Sequence, residues 1–105
     1  MKYALLLAVA GLIVRPAHAD DELALGKKLF LQQATPACAL CHTLKDAGSE
    51  GAVGPVLDEL KPDAARVANA LRNGLGNMPS YKGTLSEAQI QALAAYVAKA
   101  SGAVR

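Results

Sequence analysis

The chain has 105 residues, room for one domain and too few for a two-domain enzyme with a cleft between its halves. A charged fraction of 19% and a mean hydropathy of +0.21 exclude a disordered acidic or basic tail. A formal charge of +2 excludes the footprint of a nucleic-acid binder, and 4% aromatics with no Trp require a mostly aliphatic core.

The first segment stands apart from the rest. Lys2 precedes a run of twelve mostly apolar residues, Tyr3 to Val14, which Arg15 and Pro16 end before Ala17-His18-Ala19. A basic start, a short apolar stretch and a small-x-small triplet predict a secretory signal peptide over residues 1–19, cleaved after Ala19. The run is too short for a membrane anchor, since a spanning helix needs about 20 residues. The expectation is a periplasmic protein with a mature domain over residues 20–105 and no membrane span. The leader removes two of the 11 basic residues and none of the 9 acidic ones, so the mature chain is formally neutral. It keeps one His (His42), one Met (Met78) and two Cys (Cys38 and Cys41). A domain this small often needs a staple. Two cysteines three apart would close only a tiny disulfide loop, which stabilises little.

In chain order, Asp20-Asp21-Glu22 and then Leu23 to Gln33 predict a first helix, its acidic residues at the end where the helix dipole favours them. Leu25, Leu29 and Phe30 share a face, with Gly26 beside them. Ala34-Thr35-Pro36 breaks it. Cys38 to Leu44 is expected to be a short helical turn. Lys45 to Leu60, with Gly48, Gly51, Gly54 and Pro55, reads as an extended loop. Pro62 suits the first turn of a helix running to about Asn73, with Val67, Ala70 and Leu71 as its stripe and Gly74 as its stop. A loop over Leu75 to Gly83 carries Met78-Pro79. Ser86-Glu87-Ala88-Gln89 fits a capping box opening a last helix to about Ala100, with Ile90, Leu93, Tyr96 and Val97 at helical spacing. No segment sustains strand alternation. The fold class is all-α, with three to four short helices.

Cys38-Ala39-Leu40-Cys41-His42 is C-x-x-C-H, the attachment pattern of a c-type haem. On a helical turn residues i and i+3 share a side, so both thiols can add to the vinyl groups of one haem. His42 projects from the same face and can ligate the iron. A thioredoxin-like C-x-x-C needs a βαβ setting, which is not visible. A structural zinc site needs four N/S ligands, and the mature chain offers three. A plain disulfide gives the adjacent His no task. A second axial ligand is then required, and Met78 is the one Met in the mature chain. A Met can also simply fill a core gap. Met78 instead sits in a Gly/Pro loop 36 residues after His42.

With those residues in view, the chain resembles the class I monohaem cytochromes c over essentially the whole mature segment. The resemblance rests on the C-x-x-C-H motif, Gly54-Pro55, Met78-Pro79 and a helix at each end. It implies that fold, wrapped around one covalently bound haem c. It implies that the terminal helices cross closely at Gly26, Phe30 and Tyr96. It also implies that the Pro55 carbonyl accepts from the His42 ring, fixing the ligand. Pro36 to Leu44, Asp46-Ala47-Gly48, Leu57 to Asp63 and Met78 to Tyr81 further resemble small cytochromes that accept electrons from periplasmic sulfite dehydrogenases. Many relatives place a Trp near the haem propionates. This chain has none, and Arg66, Arg72 and Tyr81 are candidate substitutes.

The function expected is one-electron transfer rather than catalysis. Both axial sites would be filled, and Met ligation raises the potential. Redox-protein donor and acceptor would dock transiently on a monomer where the haem edge is exposed, among Pro36, Ala37, Ala39, Leu40 and Pro79. Lys27, Lys28, Lys45 and Lys82 are the cations that could steer them. A different class of function, a five-coordinate haem enzyme or gas sensor, needs Met78 to leave the iron. A third is a dedicated haem subunit of an oxidoreductase.

Overall fold

The computed structural model describes Gly11 and residues 19–104. The leader predicted over residues 1–19 lies outside them, apart from Gly11 and Ala19. Helix α1 spans Ala19–Lys28, with Asp20, Asp21 and Glu22 in its first turn and Lys27 and Lys28 in its last. Both sets of charges complement the dipole. The helix widens into a π turn over Leu29–Gln33, where Ala34 N–H donates to the Leu29 carbonyl at 3.0 Å. Leu29 and Phe30 are fully buried there.

The last helix, which we call α4, spans Glu87–Ala100. Its capping box is formed: Gln89 N–H donates to Ser86 Oγ at 3.1 Å, and Ser86 N–H donates to Gln89 Oε1 at 2.8 Å. Ile90, Leu93, Tyr96 and Val97 are buried as their spacing predicts, and so are Ala92, Ala94 and Ala98. The helix is therefore covered on more than one stripe. Helix α1 crosses α4 at Gly26, where a Cβ would collide with the Ala92 carbonyl oxygen and Tyr96 Cβ. Phe30 meets Tyr96 edge to face, ring centroids 6.0 Å apart. The crossing implied by the family resemblance is present, because glycine lets the two backbones approach.

Between these helices the chain is more structured than expected. Thr43–Leu44 (β1) pairs antiparallel with Ser49–Glu50 (β2), turning over Lys45–Ala47 and Gly48 at φ +64°. A one-turn helix α2 spans Leu57–Leu60. The predicted extended loop thus holds a ladder and a helical turn, both sustained by contacts too short to leave a periodic signature. Asp58 accepts from Lys45 N–H at 2.9 Å, and Leu57 is buried. Helix α3 spans Ala64–Asn73, two residues later than Pro62 implied. Asp63 is the cap, accepting from Arg66 N–H at 2.8 Å, so Pro62 lies before the helix. Gly74 stops α3 with φ +72°. The fold is mostly helical and fits the class I arrangement, with α1 and α3 both packed on α4.

The Lys45–Ala47 turn is tied back to the helix crossing. Tyr96 hydroxyl donates to Asp46 at 2.6 Å, and Lys27 stands 3.5 Å from the same carboxylate. The Tyr96 hydroxyl, and then Lys27, hold the Asp46 carboxyl below its usual value. Burial, and then Asp46, push the Tyr96 hydroxyl above its usual value.

Two outcomes are expected. In Gly26→Ala, overpacking of about 1–3 kcal/mol outweighs a helix-propensity gain of about 1 kcal/mol, so the urea midpoint falls; an unchanged or raised midpoint contradicts the close crossing. The second concerns pH. A depressed carboxyl stabilises the fold above about pH 4, and that contribution is lost as pH falls through its folded value. A raised phenol stabilises it below about pH 10, and that contribution is lost as pH rises through its folded value. Tyr96→Phe should therefore be less stable at neutral pH and show shallower losses at both extremes. The effect should be modest, because Asp46 is largely exposed. Urea midpoints across pH check this, and an acid limb as steep as wild type's would count against it.

Candidate functional site

Ala37 enters the C-x-x-C-H segment extended, at φ −67° and ψ 138°. Cys38–Leu40 then forms a single 3-10 turn, and both Cys41 and His42 N–H donate to the Cys38 carbonyl, at 3.1 and 2.9 Å. The turn is shorter than the predicted one over Cys38 to Leu44, because Thr43 and Leu44 leave it to pair with β2. A 3-10 turn has three residues per turn, so residues i and i+3 eclipse and the two cysteines share a side. Cys38 is buried and Cys41 half-buried, and the two are not joined as a disulfide. Burial, with a smaller contribution from Cys41, raises the Cys38 thiol to about 12.

Two glycines back the motif. A Cβ on Gly51 would lie 2.6 Å from the Cys41 carbonyl carbon and from His42 N. A Cβ on Gly54 would lie 2.5 Å from His42 Cε1. Side chains at either place would push the turn or the imidazole out of position. Gly54 N–H also donates to the Cys41 carbonyl at 2.6 Å. Beside them His42 Nδ1 and the Pro55 carbonyl oxygen lie 2.8 Å apart. A carbonyl only accepts, so Nδ1 carries the proton and Nε2 keeps its lone pair free to ligate.

Met78 lies in a tight loop after α3. Leu75 and Met78 exchange backbone hydrogen bonds at 3.0 and 2.9 Å, with Gly76 at φ +58° between them. The loop is drawn onto α3 at two points. Tyr81 N–H donates to the Leu71 carbonyl at 2.6 Å, and Ser80 Oγ donates to the Arg72 carbonyl at 2.5 Å. Tyr81 is buried, and its hydroxyl donates to the Pro36 carbonyl at 2.5 Å.

Cys38, Cys41, His42, Pro55 and Met78 all line one cavity of about 860 Å³. Leu57, Val67, Leu71, Leu93 and Val97 supply apolar wall. A volume within the roughly 300–1,000 Å³ of ligand sites, a mainly apolar wall and one free imidazole nitrogen together fit a planar haem. Arg66 is the one charged residue on the wall among the described residues. Arg72 instead pairs with Glu87 at 2.9 Å on the surface, so it is removed from the three propionate candidates. Asn69 and Asn73 join Arg66 on the wall, and sequence reasoning missed them. Their spacing of three and four residues was the available signal, since it places all three on one face of α3. Lys27 is engaged with Asp46 rather than at the cavity.

Comparison with known proteins gives the family. Residues 21–97 match the family model described as cytochrome C oxidase, cbb3-type, subunit III. The chain is 36% identical over 99 residues to a cytochrome c6 from Picosynechococcus sp., covering 79% of this chain and 76% of that one. It is also similar to the crystal structure of the c-type cytochrome SorU from Sinorhizobium meliloti. The TM-score is 0.77 and the identity 53%, over 79% of this chain and 94% of that one. The chain therefore belongs to the cytochrome c family, as an electron-transfer protein with covalently bound haem c and not an enzyme.

Proposed function

We propose that this cytochrome is a periplasmic one-electron carrier whose haem is held by thioethers to Cys38 and Cys41 and ligated by His42 and Met78. The observation that carries the reading is the placing of His42 and Met78 on the wall of one cavity, with the His42 ring oriented by Pro55. When bound, haem c supplies a ferric/ferrous couple that takes up or releases one electron. The chain's task is to hold both axial groups still. Pro55 fixes the imidazole and raises its donor strength. The bonds from Ser80 and Tyr81 hold the Met78 loop. The apolar wall excludes water and favours the less charged state, so a positive midpoint potential is expected. Arg66, on the cavity wall, would meet a haem carboxylate.

Export rests on the leader over residues 1–19 and leaves a mature domain over residues 20–105. Among the described residues no helix is long and apolar enough to cross a membrane. Partners dock on a monomer, over apolar surface near the cavity. Leu40, Val53 and Leu75 are 69%, 71% and 71% exposed, and Val53 and Leu75 also line the cavity. The donor is a periplasmic sulfite dehydrogenase, supported by the motif resemblance and by the 53% identity to SorU. The pinned Met78 loop favours this reading over a five-coordinate enzyme or sensor.

Visible absorption of the matured protein checks the ligands. The wild type should show a c-type reduced spectrum and the weak far-red band of Met–ferric ligation. Met78→Ala should lose that band and bind exogenous ligands. A wild type that lacks the band and binds CO at once on reduction would overturn the assignment of Met78. For the partner, sulfite dehydrogenase with sulfite should reduce the cytochrome with only a mild dependence on ionic strength, since the mature chain is formally neutral. Reduction no faster than by sulfite alone would exclude that donor.

A further inference from the structure

We infer that Tyr81 is the positioning residue that holds the Met78 loop closed, by clasping it to the chain that enters the C-x-x-C-H turn. The inference rests on the reading of Met78 as an axial ligand and adds the device that keeps it in place. Tyr81 follows Met78 by three residues, and Pro36 precedes Cys38 by two. The hydroxyl-to-carbonyl bond of 2.5 Å between them spans 45 residues. It ties the strand of chain bearing one proposed ligand to the strand bearing both attachment cysteines.

The other bonds of the loop do a different job. Tyr81 N–H and Ser80 Oγ both reach carbonyls of α3, Leu71 and Arg72. They join the loop to the helix it has just left and make no link to the C-x-x-C-H side of the cavity. Among the described residues, Tyr81 hydroxyl to Pro36 is the one hydrogen bond between the Met78 loop and the segment leading to Cys38. Gly76 and Ser80 are exposed away from the cavity wall, and Gly74 and Gly76 have positive φ. Surface loops of this kind open locally at low free energy. One hydrogen bond is then a large share of what resists opening. The ring is only 3% exposed, so it packs as a core residue whether or not the hydroxyl is present. Phenylalanine keeps that packing and removes the bond alone.

The experiment titrates the ferric, haem-loaded protein with imidazole, following loss of the far-red band. In Tyr81→Phe the band should be present before titration and half lost at a roughly fivefold lower imidazole concentration than in wild type, the share of one hydrogen bond. Tyr96→Phe is the control. It also deletes a tyrosine hydroxyl bond, of 2.6 Å to Asp46, but outside the Met78 loop. It should lower the urea midpoint and leave the imidazole midpoint at the wild-type value. Equal imidazole midpoints in Tyr81→Phe and wild type would overturn the clasp, and so would equal shifts in the two tyrosine variants. Met78→Ala separates this from the ligand assignment. If it loses the band as expected while Tyr81→Phe behaves as wild type, only the clasp fails. A wild type without the band removes both.

Discussion

The bond between His42 Nδ1 and the Pro55 carbonyl makes a demand on everything near it. It holds the ring only if the Pro55 backbone lies against the ring edge, and Gly54 is what permits that approach. Any Cβ at Gly54 would overlap the imidazole. Gly51 serves the same end one step earlier, letting the chain run flush against the backbone of Cys41 and His42. The chain must also come back from the C-x-x-C-H turn at the right height. The β1–β2 ladder does this, with Thr43 opposite Glu50, and Thr43 Oγ1 donates to the Gly51 carbonyl at 3.0 Å. A ladder of two residues per strand has little stability of its own. It persists here because Ser49 Oγ bridges it, donating to the His42 carbonyl and accepting from Leu44 N–H.

The segment over residues 19–104 has little apolar surface to spend on a core of its own. Much of what it has faces the cavity. Leu71 and Leu93 are fully buried and also line its wall. The core proper is concentrated at the α1–α4 crossing, where Gly26 permits close approach and Phe30 meets Tyr96. The polypeptide is thus a shell stapled at one crossing, with its second centre of packing supplied through the C-x-x-C-H turn. This is why the cysteines are worth more as attachment points than as a disulfide. A disulfide would close a loop of a few residues, whereas a cofactor bonded to both thiols gives the facing walls something to pack on.

What was legible in the sequence was local. The C-x-x-C-H spacing, the Ser86–Gln89 capping box, the Gly74 stop and the buried face of α4 each depend on residues within a turn or two of one another. Met78 stood out by scarcity, as the one Met after residue 19, and it lies with His42 on the wall of one cavity. The segment from Lys45 to Leu60 was not. Its glycines announced turns correctly, but α2 is one turn long and held by Asp58 and Leu57, whose partners are elsewhere in the chain. The start of α3 went to Asp63 rather than Pro62, because a side chain that caps a free N–H outweighs a residue that merely tolerates the position. The wall of Arg66, Asn69 and Asn73 was a helical stripe of polar residues, easily taken for a solvated face until the cavity beside it was seen.

The two tyrosines in the C-terminal half show a constraint that no local pattern could reveal. Tyr81 reaches back to the Pro36 carbonyl, and Tyr96 reaches back to the Asp46 carboxylate. The two contacts bracket the C-x-x-C-H motif. A short turn with two cysteines and a histidine has no intrinsic reason to keep one orientation toward the rest of the domain. Anchors on both sides give it one, and each is made by a hydroxyl on a ring already committed to the core. The anchors differ in exposure and so in character. Asp46 is charged and half in water, so its bond to Tyr96 responds to pH. The Pro36 carbonyl is neutral, and its partner Tyr81 is raised to about 12, chiefly by burial, so that bond stays intact through the physiological range. The pH-sensitive anchor is made by α4, outside the Met78 loop, and the insensitive one is made by the Met78 loop itself. Proton uptake at Asp46 would therefore loosen the turn's junction with the helix crossing and leave the tie between the Met78 loop and Pro36 in place.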